Sequence, residues 1–192
     1  MATLRTDTRT ALIQAAAAEF EAVGYEQTNT NAIARRAGFA PQTFYRHFKD
    51  KLAILLAAYV RWTEEELSVI ADAASTEDLV RATLRHHETS RLFRRTLRDL
   101  SVRVPEVADA RALSRRRQLD AIGARIPAFA ARPTAVQAAT LLTFERLCDA
   151  TVEGEFERLG VEADAAVALL IDIIRPYASE LPISYHPRQN MP

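Results

Sequence analysis

The chain has 192 residues, 48% of them hydrophobic and 26% charged, which is enough to bury one large core or two small ones. Its formal net charge is zero, so the whole molecule carries no basic field that would attract nucleic acid. A surface that binds anions must therefore be local. Cys148 is the only cysteine, which excludes an internal disulfide and is typical of a reducing compartment.

The sequence contains no candidate membrane segment. Its first residues, MATLRTDTRTALIQ, lack the apolar centre of a signal peptide. The longest apolar run, LAILLAAYV, is far shorter than the roughly 18 residues that a membrane-spanning helix needs. We therefore expect a cytoplasmic protein. Residues 1–51 carry seven basic and five acidic side chains, a balance of +2, and the remaining residues carry −2.

Apolar residues recur at helical spacing along the whole chain, which predicts an all-α protein of about nine helices. Leu12, Ala16 and Phe20 form the buried stripe of a first helix that we expect to end at Gly24. A short second helix starts after Thr28 or Asn29 and stops at Gly38. A third helix over 41–48 opens with a proline, which the first turn of a helix tolerates.

A long helix follows Asp50, and further helices are predicted at 76–88, 90–103, 106–126, 134–158 and 163–180. Prolines and glycines mark the breaks between them. We predict an N-terminal domain over 1–50 built from the first three helices. A second helical domain spans 51–181, and 182–192 form a loosely ordered tail with three prolines.

The stretch AIARRAGFAPQTFYRHF has the spacing of a helix-turn-helix. Small apolar residues (Ile33, Ala34, Ala37) allow two helices to approach, Gly38 permits the turn, and Phe39, Phe44 and Phe48 anchor the far side. The anchoring leaves the polar side chains exposed, and these suit base edges and phosphates: Gln42, Thr43, Tyr45, Arg46 and His47. The alternative is three helices of an ordinary core with a polar surface.

Residues 24–52, GYEQTNTNAIARRAGFAPQTFYRHFKDKL, resemble the N-terminal domain of the TetR family of transcriptional repressors. The resemblance includes the Gly-aromatic end of the first helix, the threonine-led helix with its Ala-Gly ending, and the recognition helix ending in Tyr-x-His-Phe. It implies a ligand-responsive repressor that binds a palindromic operator. It implies little about the C-terminal two-thirds, because that part varies widely within the family.

Position by position, the resemblance implies that Gln42 and Thr43 meet bases or the adjacent backbone, and that Tyr45 and His47 hold phosphates. Lys51 would bind a phosphate together with the N-terminus of the fourth helix. Thr30 and Asn31 would touch the DNA backbone or a nearby base, and Arg5 and Arg9 could add phosphate contacts. Two positions depart from the family pattern. Ala40 stands where a Ser or Thr usually caps the recognition helix, and Asn31 replaces a long basic residue.

A single short recognition helix reads only a few base pairs, so helix-turn-helix proteins usually bind as two-fold dimers. The segment EADAAVALLIDIIRPY is apolar nearly all round and needs cover on both sides, as in a four-helix bundle formed by two subunits. The alternative is an interior helix of a monomer, and the family resemblance favours the homodimer. The candidate interface residues are Phe144, Leu147, Thr151, Leu169, Leu170, Ile173 and Ile174.

The resemblance also implies a small-molecule inducer held by helices four to seven. Aromatic or soft side chains are the candidates for its pocket, although each also suits a core: Tyr59, Trp62, Phe93, Phe129, Phe144 and Cys148. The arginines at 91, 94, 95 and 98 share one helix face, which we interpret as a solvated face paired with Glu88 and Asp99. An anionic inducer or DNA backbone is the alternative partner for that face.

No metal or cofactor is expected. The adjacent His86 and His87 would point about 100° apart on a helix and so could not share an ion. The sequence also lacks a Walker loop, GxGxxG, HExxH and CxxC, which argues against an enzyme. A helical carrier or adaptor without DNA binding remains the alternative, and it does not explain the helix-turn-helix residues.

Overall fold

The computed structural model describes residues 7–178, which form eleven helical segments and no strand, so the all-α prediction is confirmed. In chain order the segments are α1 (Thr8–Gln27), α2 (Thr30–Arg36), α3 (Pro41–Tyr45), α4 (Lys51–Asp72), α5 (Thr76–Glu88), α6 (Arg91–Ser101), α7 (Pro105–Arg125), α8 (Pro127–Ala130), α9 (Thr134–Val152), α10 (Glu155–Arg158) and α11 (Ala163–Ala178). The predicted tail over 182–192 lies outside the described residues, as does the end of the last predicted helix.

The helices form two compact units. Of the described residues, unit 1 contains 7–65 together with Thr89–Ser114, and unit 2 contains Glu66–Glu88 and 115–178. This division differs from the boundary predicted between residues 50 and 51, because α6 and parts of α4 and α7 belong with the first three helices.

The packing of α6 against α1 explains why unit 1 is larger than the predicted N-terminal domain. The carboxylate of Glu21 accepts hydrogen bonds from the backbone amides of Leu92 (3.2 Å) and Phe93 (2.9 Å). It thereby satisfies two of the amides that the start of a helix leaves without partners. The rings of Phe20 and Phe93 stack beside it with their centroids 6.3 Å apart. Sequence patterns do not reveal a capping residue that comes from another helix.

Arg94 corrects the prediction of a solvated arginine face on α6. Its side chain is buried, and its guanidinium lies 4.6 Å from the ring centroid of Trp62 in a cation–π contact. A guanidinium is weakly hydrated and stacks well on an indole, so it can be buried at a lower cost than an ammonium. Arg91 and Arg95 remain exposed.

Three helix boundaries also differ from the prediction. The segment predicted at 134–158 divides into α9 and α10 at Gly154, whose φ of +70° is incompatible with a continuing helix. The four-residue α8 was not predicted, since one turn is too short for a periodic pattern. The recognition helix α3 ends at Tyr45 rather than at residue 48.

Helix α1 continues beyond its predicted end. Gly24 has a φ of +79° and kinks the helix, but helical residues resume and reach Gln27. Thr28 then ends α1, donating from both its backbone amide and its hydroxyl to the carbonyl oxygen of Gly24. Across residues 7–178, no helix combines the length and apolar character needed to cross a membrane.

Candidate nucleic-acid interface

The corner between α2 and α3 has the predicted helix-turn-helix packing. Asn29 caps α2, because its side-chain oxygen accepts a hydrogen bond from the backbone amide of Ala32 at 2.9 Å. Ile33 and Ala34 are fully buried. Gly38 turns the chain with a φ of +78°, which allows the amide of Phe39 to bond the carbonyl oxygen of Ala34 at 2.9 Å.

Helix α3 is held to unit 1 by its aromatic residues. Phe44 is fully buried and Phe48 nearly so, with their ring centroids 5.8 Å apart. Burying a Phe side chain contributes about 1.5–3 kcal/mol, which is more than a five-residue helix could supply through its own hydrogen bonds. Ala40 precedes the helix and offers no side-chain acceptor, so these anchors position α3 without help from a cap.

The anchoring leaves the predicted DNA-contacting side chains on the surface. Gln42, Arg46 and His47 are exposed, and Tyr45 keeps 58% of its surface exposed. Thr43 is half-buried beside Phe44. On α2, Asn31 is exposed and Thr30 is half-buried. The structure therefore brings these residues together on one corner of unit 1.

A hydrogen bond connects the two helices of the motif at that corner. The hydroxyl oxygens of Thr30 and Tyr45 lie 2.9 Å apart, joining the start of α2 to the end of α3. The ring of Tyr45 also packs edge-on against Phe44, with centroids 5.3 Å apart. The phenol is thus fixed in direction before it meets any ligand.

Lys51, at the start of α4, makes contacts that sequence reasoning missed. Its ammonium donates to the carbonyl oxygens of Tyr25 (2.6 Å) and Thr28 (2.9 Å) and lies 4.1 Å from the ring centroid of Tyr25. These carbonyls end α1, where helical carbonyls lack partners and the dipole favours a cation. Burial raises the pKa of Tyr25, as do the nearby carboxylates of Glu26 and Asp50, so its phenol stays neutral. Two of the three donors of Lys51 are therefore used within the protein.

The N-terminus of α4 also differs from the expected phosphate site. The carboxylate of Asp50 accepts a hydrogen bond from the backbone amide of Ala53 at 2.7 Å. Its negative charge already occupies the position at which the helix amides would attract an anion. A phosphate bound near Lys51 would therefore contact the lysine but not the helix amide that Asp50 already bonds.

Further basic side chains surround the corner. The guanidinium of Arg9 lies 5.2 Å from the ring centroid of Phe48 and is exposed, while Arg5 falls outside the described residues. Arg35 and Lys49 are exposed. Arg36 forms an ion pair with Glu19 at 2.6 Å, which neutralises much of its field.

Comparisons with known proteins agree with this geometry. A profile of the family described as bacterial regulatory proteins, tetR family, matches residues 12–58. Among solved structures, Salmonella enterica GusR matches with a TM-score of 0.66 and 18% identity, over 90% of this chain and 98% of that one. A TetR family transcription regulator from Marinobacter aquaeolei VT8 matches with a TM-score of 0.60 and 19% identity, over 86% and 94% of the two chains.

The fatty acid degradation regulator FadR from Bacillus halodurans also shares the fold, with a TM-score of 0.59 and 17% identity over 90% of this chain and 96% of that one. No curated protein matches the chain. The helix-turn-helix with its exposed polar corner defines a DNA-binding transcriptional regulator. Residues 12–58 are similar to the N-terminal domain of the tetR family of bacterial regulatory proteins.

One of the predicted dimer residues is buried within its own subunit. Leu170 is fully buried in the core of unit 2 with Val80 and Cys148, so it has no surface left for a second subunit, and its assignment is corrected. Phe144 and Ile174 line a cavity, Leu147 packs against the same core, and the hydroxyl of Thr151 bonds the carbonyl oxygen of Leu147 at 2.8 Å. Of the predicted set, Leu169 is exposed, and five residues are half-buried: Phe144, Leu147, Thr151, Ile173 and Ile174.

The predicted pocket residues are divided between the two units. Tyr59, Trp62 and Phe93 belong to the core of unit 1, where Trp62 and Phe93 also line an open groove. Phe129 and Phe144 line a cavity in unit 2, and Cys148 is buried in the core beside it. Sequence alone did not separate them, because aromatic residues at helical spacing suit a core and a pocket equally.

A buried polar cluster in unit 2 was also missed. The imidazole of His87 lies between two carboxylates, with Nε2 3.0 Å from Glu66 and Nδ1 3.3 Å from Asp149. All three side chains are nearly inaccessible to solvent. Gln118 donates to the second oxygen of Glu66. The cluster joins α4, α5, α7 and α9, and no local pattern connects residues so far apart in the chain.

Proposed function

We propose that this regulator is a repressor that binds a palindromic operator as a homodimer and is released by a small molecule. The observation that best supports DNA reading is the combination of buried Phe44 and Phe48 with exposed Gln42, Tyr45 and His47 on α3 and the turn that follows it. A surface helix without a partner has no need for two aromatic anchors within five residues.

In this proposal the exposed corner enters the major groove. Gln42 presents an amide that can pair with an adenine edge, and Thr43 contacts a base or the adjacent backbone. Tyr45 and His47 donate to phosphates and Arg46 adds charge, so these residues set the position of the helix on the duplex. Thr30 and Asn31 extend the contact along α2. Lys51 has one donor left for a phosphate and serves mainly to join α4 to α1.

A homodimer follows from the limited reach of one corner. Each good bidentate base contact discriminates by roughly 1–3 kcal/mol, so two copies are needed to select one operator in a genome. The exposed faces of α9 and α11 support this part of the proposal. They carry Leu142 and Leu169, each with more than two-fifths of its surface exposed, among small alanines. Two copies of this pair of helices would form a four-helix bundle.

Release by a ligand requires that the ligand binds more tightly to a conformation with low DNA affinity than to the conformation that binds DNA. The ligand shifts the population by the difference between its affinities for the two conformations. The cavity of unit 2, lined by Phe129, Phe144 and Ile174 among others, is the site that we assign to it.

The test is selection of binding sequences from random duplex DNA, followed by fluorescence anisotropy and sedimentation of the selected complex. We expect a palindrome bound by two chains with nanomolar affinity, typical of specific regulators. Selected sites without two-fold symmetry would contradict the dimer. Failure to enrich any sequence would favour the carrier or adaptor, which predicts no salt-dependent DNA affinity.

A further inference from the structure

The cavity of unit 2 has a volume of about 70 Å³ and is lined by residues from α4, α5, α7, α8, α9 and α11. Its accessible surface is formed almost entirely by apolar atoms. The apolar side chains come from several helices: Ile70, Leu79, Ile122, Ile126, Phe129, Leu141, Phe144 and Ile174. Such a wall favours a ligand that has little polar surface of its own.

The acidic side chains of the cavity already have partners. Glu145 forms an ion pair with Arg115, whose Nη2 lies 2.8 Å from its carboxylate. Glu66 is bonded through one oxygen to His87 at 3.0 Å and through the other to Gln118. An amine on a ligand would have to compete with these partners for the carboxylate oxygens and would be buried with them.

The basic side chain of the cavity is engaged in the same way. Arg125 donates through its two Nη atoms to the carbonyl oxygens of Ala71 and Ala73, where α4 ends. A ligand carboxylate at this end would compete with two carbonyls. It would also meet Glu66 and Glu145, which line the same cavity and repel it. The charges therefore select against anions as well as cations.

One buried acceptor in the wall is not satisfied. The side-chain oxygen of Gln118 has no hydrogen-bond partner among residues 7–178, although Gln118 is only 2% exposed. Its amide nitrogen is fixed by Glu66, which fixes the direction of the oxygen as well. A buried acceptor without a donor is unfavourable, so a ligand hydroxyl that reached it would gain affinity.

We propose that this cavity binds a compact, uncharged and predominantly apolar molecule that donates a single hydrogen bond to Gln118. The proposal rests on the function proposed above, because it names the class of molecule that would act as the inducer. The volume is about half of the roughly 150 Å³ of an engineered cavity that binds benzene, so the occupant has on the order of three to five non-hydrogen atoms. Short-chain alcohols belong to this class.

The experiment compares isobutanol, isobutyrate and isobutylammonium by ligand-observed NMR on the full chain without DNA. These probes share one carbon skeleton and differ in charge. We expect isobutanol to bind, and the two ions to bind at least about tenfold more weakly, because burying an uncompensated charge is costly. Equal binding of either ion, or tighter binding of the much larger 2-naphthol, would overturn the proposal. This comparison needs no variant and therefore cannot fail through misfolding.

Two variants locate the site. Leu141→Phe fills the cavity and should abolish isobutanol binding, whereas Leu113→Phe makes the same change at an exposed position of α7 and should not. Gln118→Met should weaken isobutanol binding roughly three- to tenfold while leaving the binding of dissolved xenon, an apolar probe without a donor, unchanged. Binding of isobutanol that survives Leu141→Phe would place it elsewhere and overturn the assignment.

The outcome is separable from the proposed function. If the chain fails to select an operator but isobutanol binds as described, the repressor proposal fails and the cavity assignment stands. If an operator is found and the probes do not bind, the cavity assignment fails alone.

Discussion

The ammonium of Lys51 lies 2.6 Å from the carbonyl oxygen of Tyr25, so the lysine that the family pattern assigns to DNA also joins the start of α4 to the end of α1. A second hydrogen bond, to Thr28, and the face of the Tyr25 ring complete its surroundings. A residue with these contacts contributes to folding whether or not DNA is present.

Lys51→Met should therefore lower the free energy of unfolding by about 2–4 kcal/mol, since two charge-assisted hydrogen bonds are lost and the aliphatic stem is kept. Urea unfolding followed by the fluorescence of Trp62, the only tryptophan, measures the change within unit 1. Lys49→Met is the control, because Lys49 is exposed two residues earlier. Equal stability of the two variants would contradict a structural role for Lys51.

The bond between Thr30 and Tyr45 predicts that these residues are coupled in DNA binding. Tyr45→Phe removes the hydroxyl that would meet a phosphate, and we expect roughly a tenfold loss of affinity. Thr30→Val removes the partner at 2.9 Å and should cost less. Anisotropy on the two single variants and the double variant measures the coupling. If Thr30 acts by holding Tyr45, the double variant binds no more weakly than Tyr45→Phe. Additive losses would mean that Thr30 makes a DNA contact of its own.

Glu21 should stabilise unit 1 through the start of α6. Glu21→Ala leaves the amides of Leu92 and Phe93 without their acceptor, and we expect a loss of about 1–3 kcal/mol in the free energy of unfolding. Glu26→Ala, an exposed glutamate on the same helix, should change stability by less than about 0.5 kcal/mol. The same Trp62 signal measures both variants. Indistinguishable unfolding curves would contradict the assigned role of Glu21.

Gly38 should be required because of its left-handed backbone conformation, and not because a larger side chain would collide with its neighbours. Among the described residues, no atom lies within 4 Å of the position that a Cβ would take, yet the φ is +78°. Gly38→Ala should cost about 1–2 kcal/mol, the penalty for an L-residue in the left-handed region. Gly38→Asn should cost less, since asparagine tolerates that region. Chemical denaturation compares the two, and a smaller loss for alanine than for asparagine would argue against backbone strain.

If the exposed faces of α9 and α11 form the proposed dimer interface, a charge placed on one of them should dissociate the dimer. Leu169→Glu places a charge on α11 within the proposed interface and should yield monomers in analytical ultracentrifugation at concentrations where the wild type is dimeric. Leu159→Glu is the matched control, because Leu159 is 78% exposed and follows α10. A dimer that tolerates Leu169→Glu would have to use another surface.

The sequence predicted the helix-turn-helix apart from the end of α3, because a few local rules determine it. Asn29 caps a helix, Gly38 permits a turn, and aromatic residues four apart anchor α3. The interactions that it did not predict join residues distant in the chain. Glu21 caps a helix some seventy residues away, and Lys51 bonds the end of α1.

The interface and pocket residues were harder to predict for a related reason. An apolar helix such as α11 needs cover on several sides, and its sequence does not say which side meets its own subunit. Leu170 is buried within unit 2 while its neighbour Leu169 is exposed, a difference set by the tertiary position of the helix. Likewise Trp62 and Phe144 have similar local patterns, although only Phe144 lines the cavity of unit 2.

The measurement that tests the central claim most directly is the salt dependence of operator binding by Arg46→Ala, with Arg117→Ala as its matched control. Both arginines are exposed, Arg46 just after α3 and Arg117 on α7. We predict that Arg46→Ala weakens binding and makes the slope of log affinity against log salt shallower by about one unit, since one phosphate contact is lost. Arg117→Ala should leave both quantities unchanged. Equal slopes for the wild type and both variants would contradict DNA binding by the α2–α3 corner.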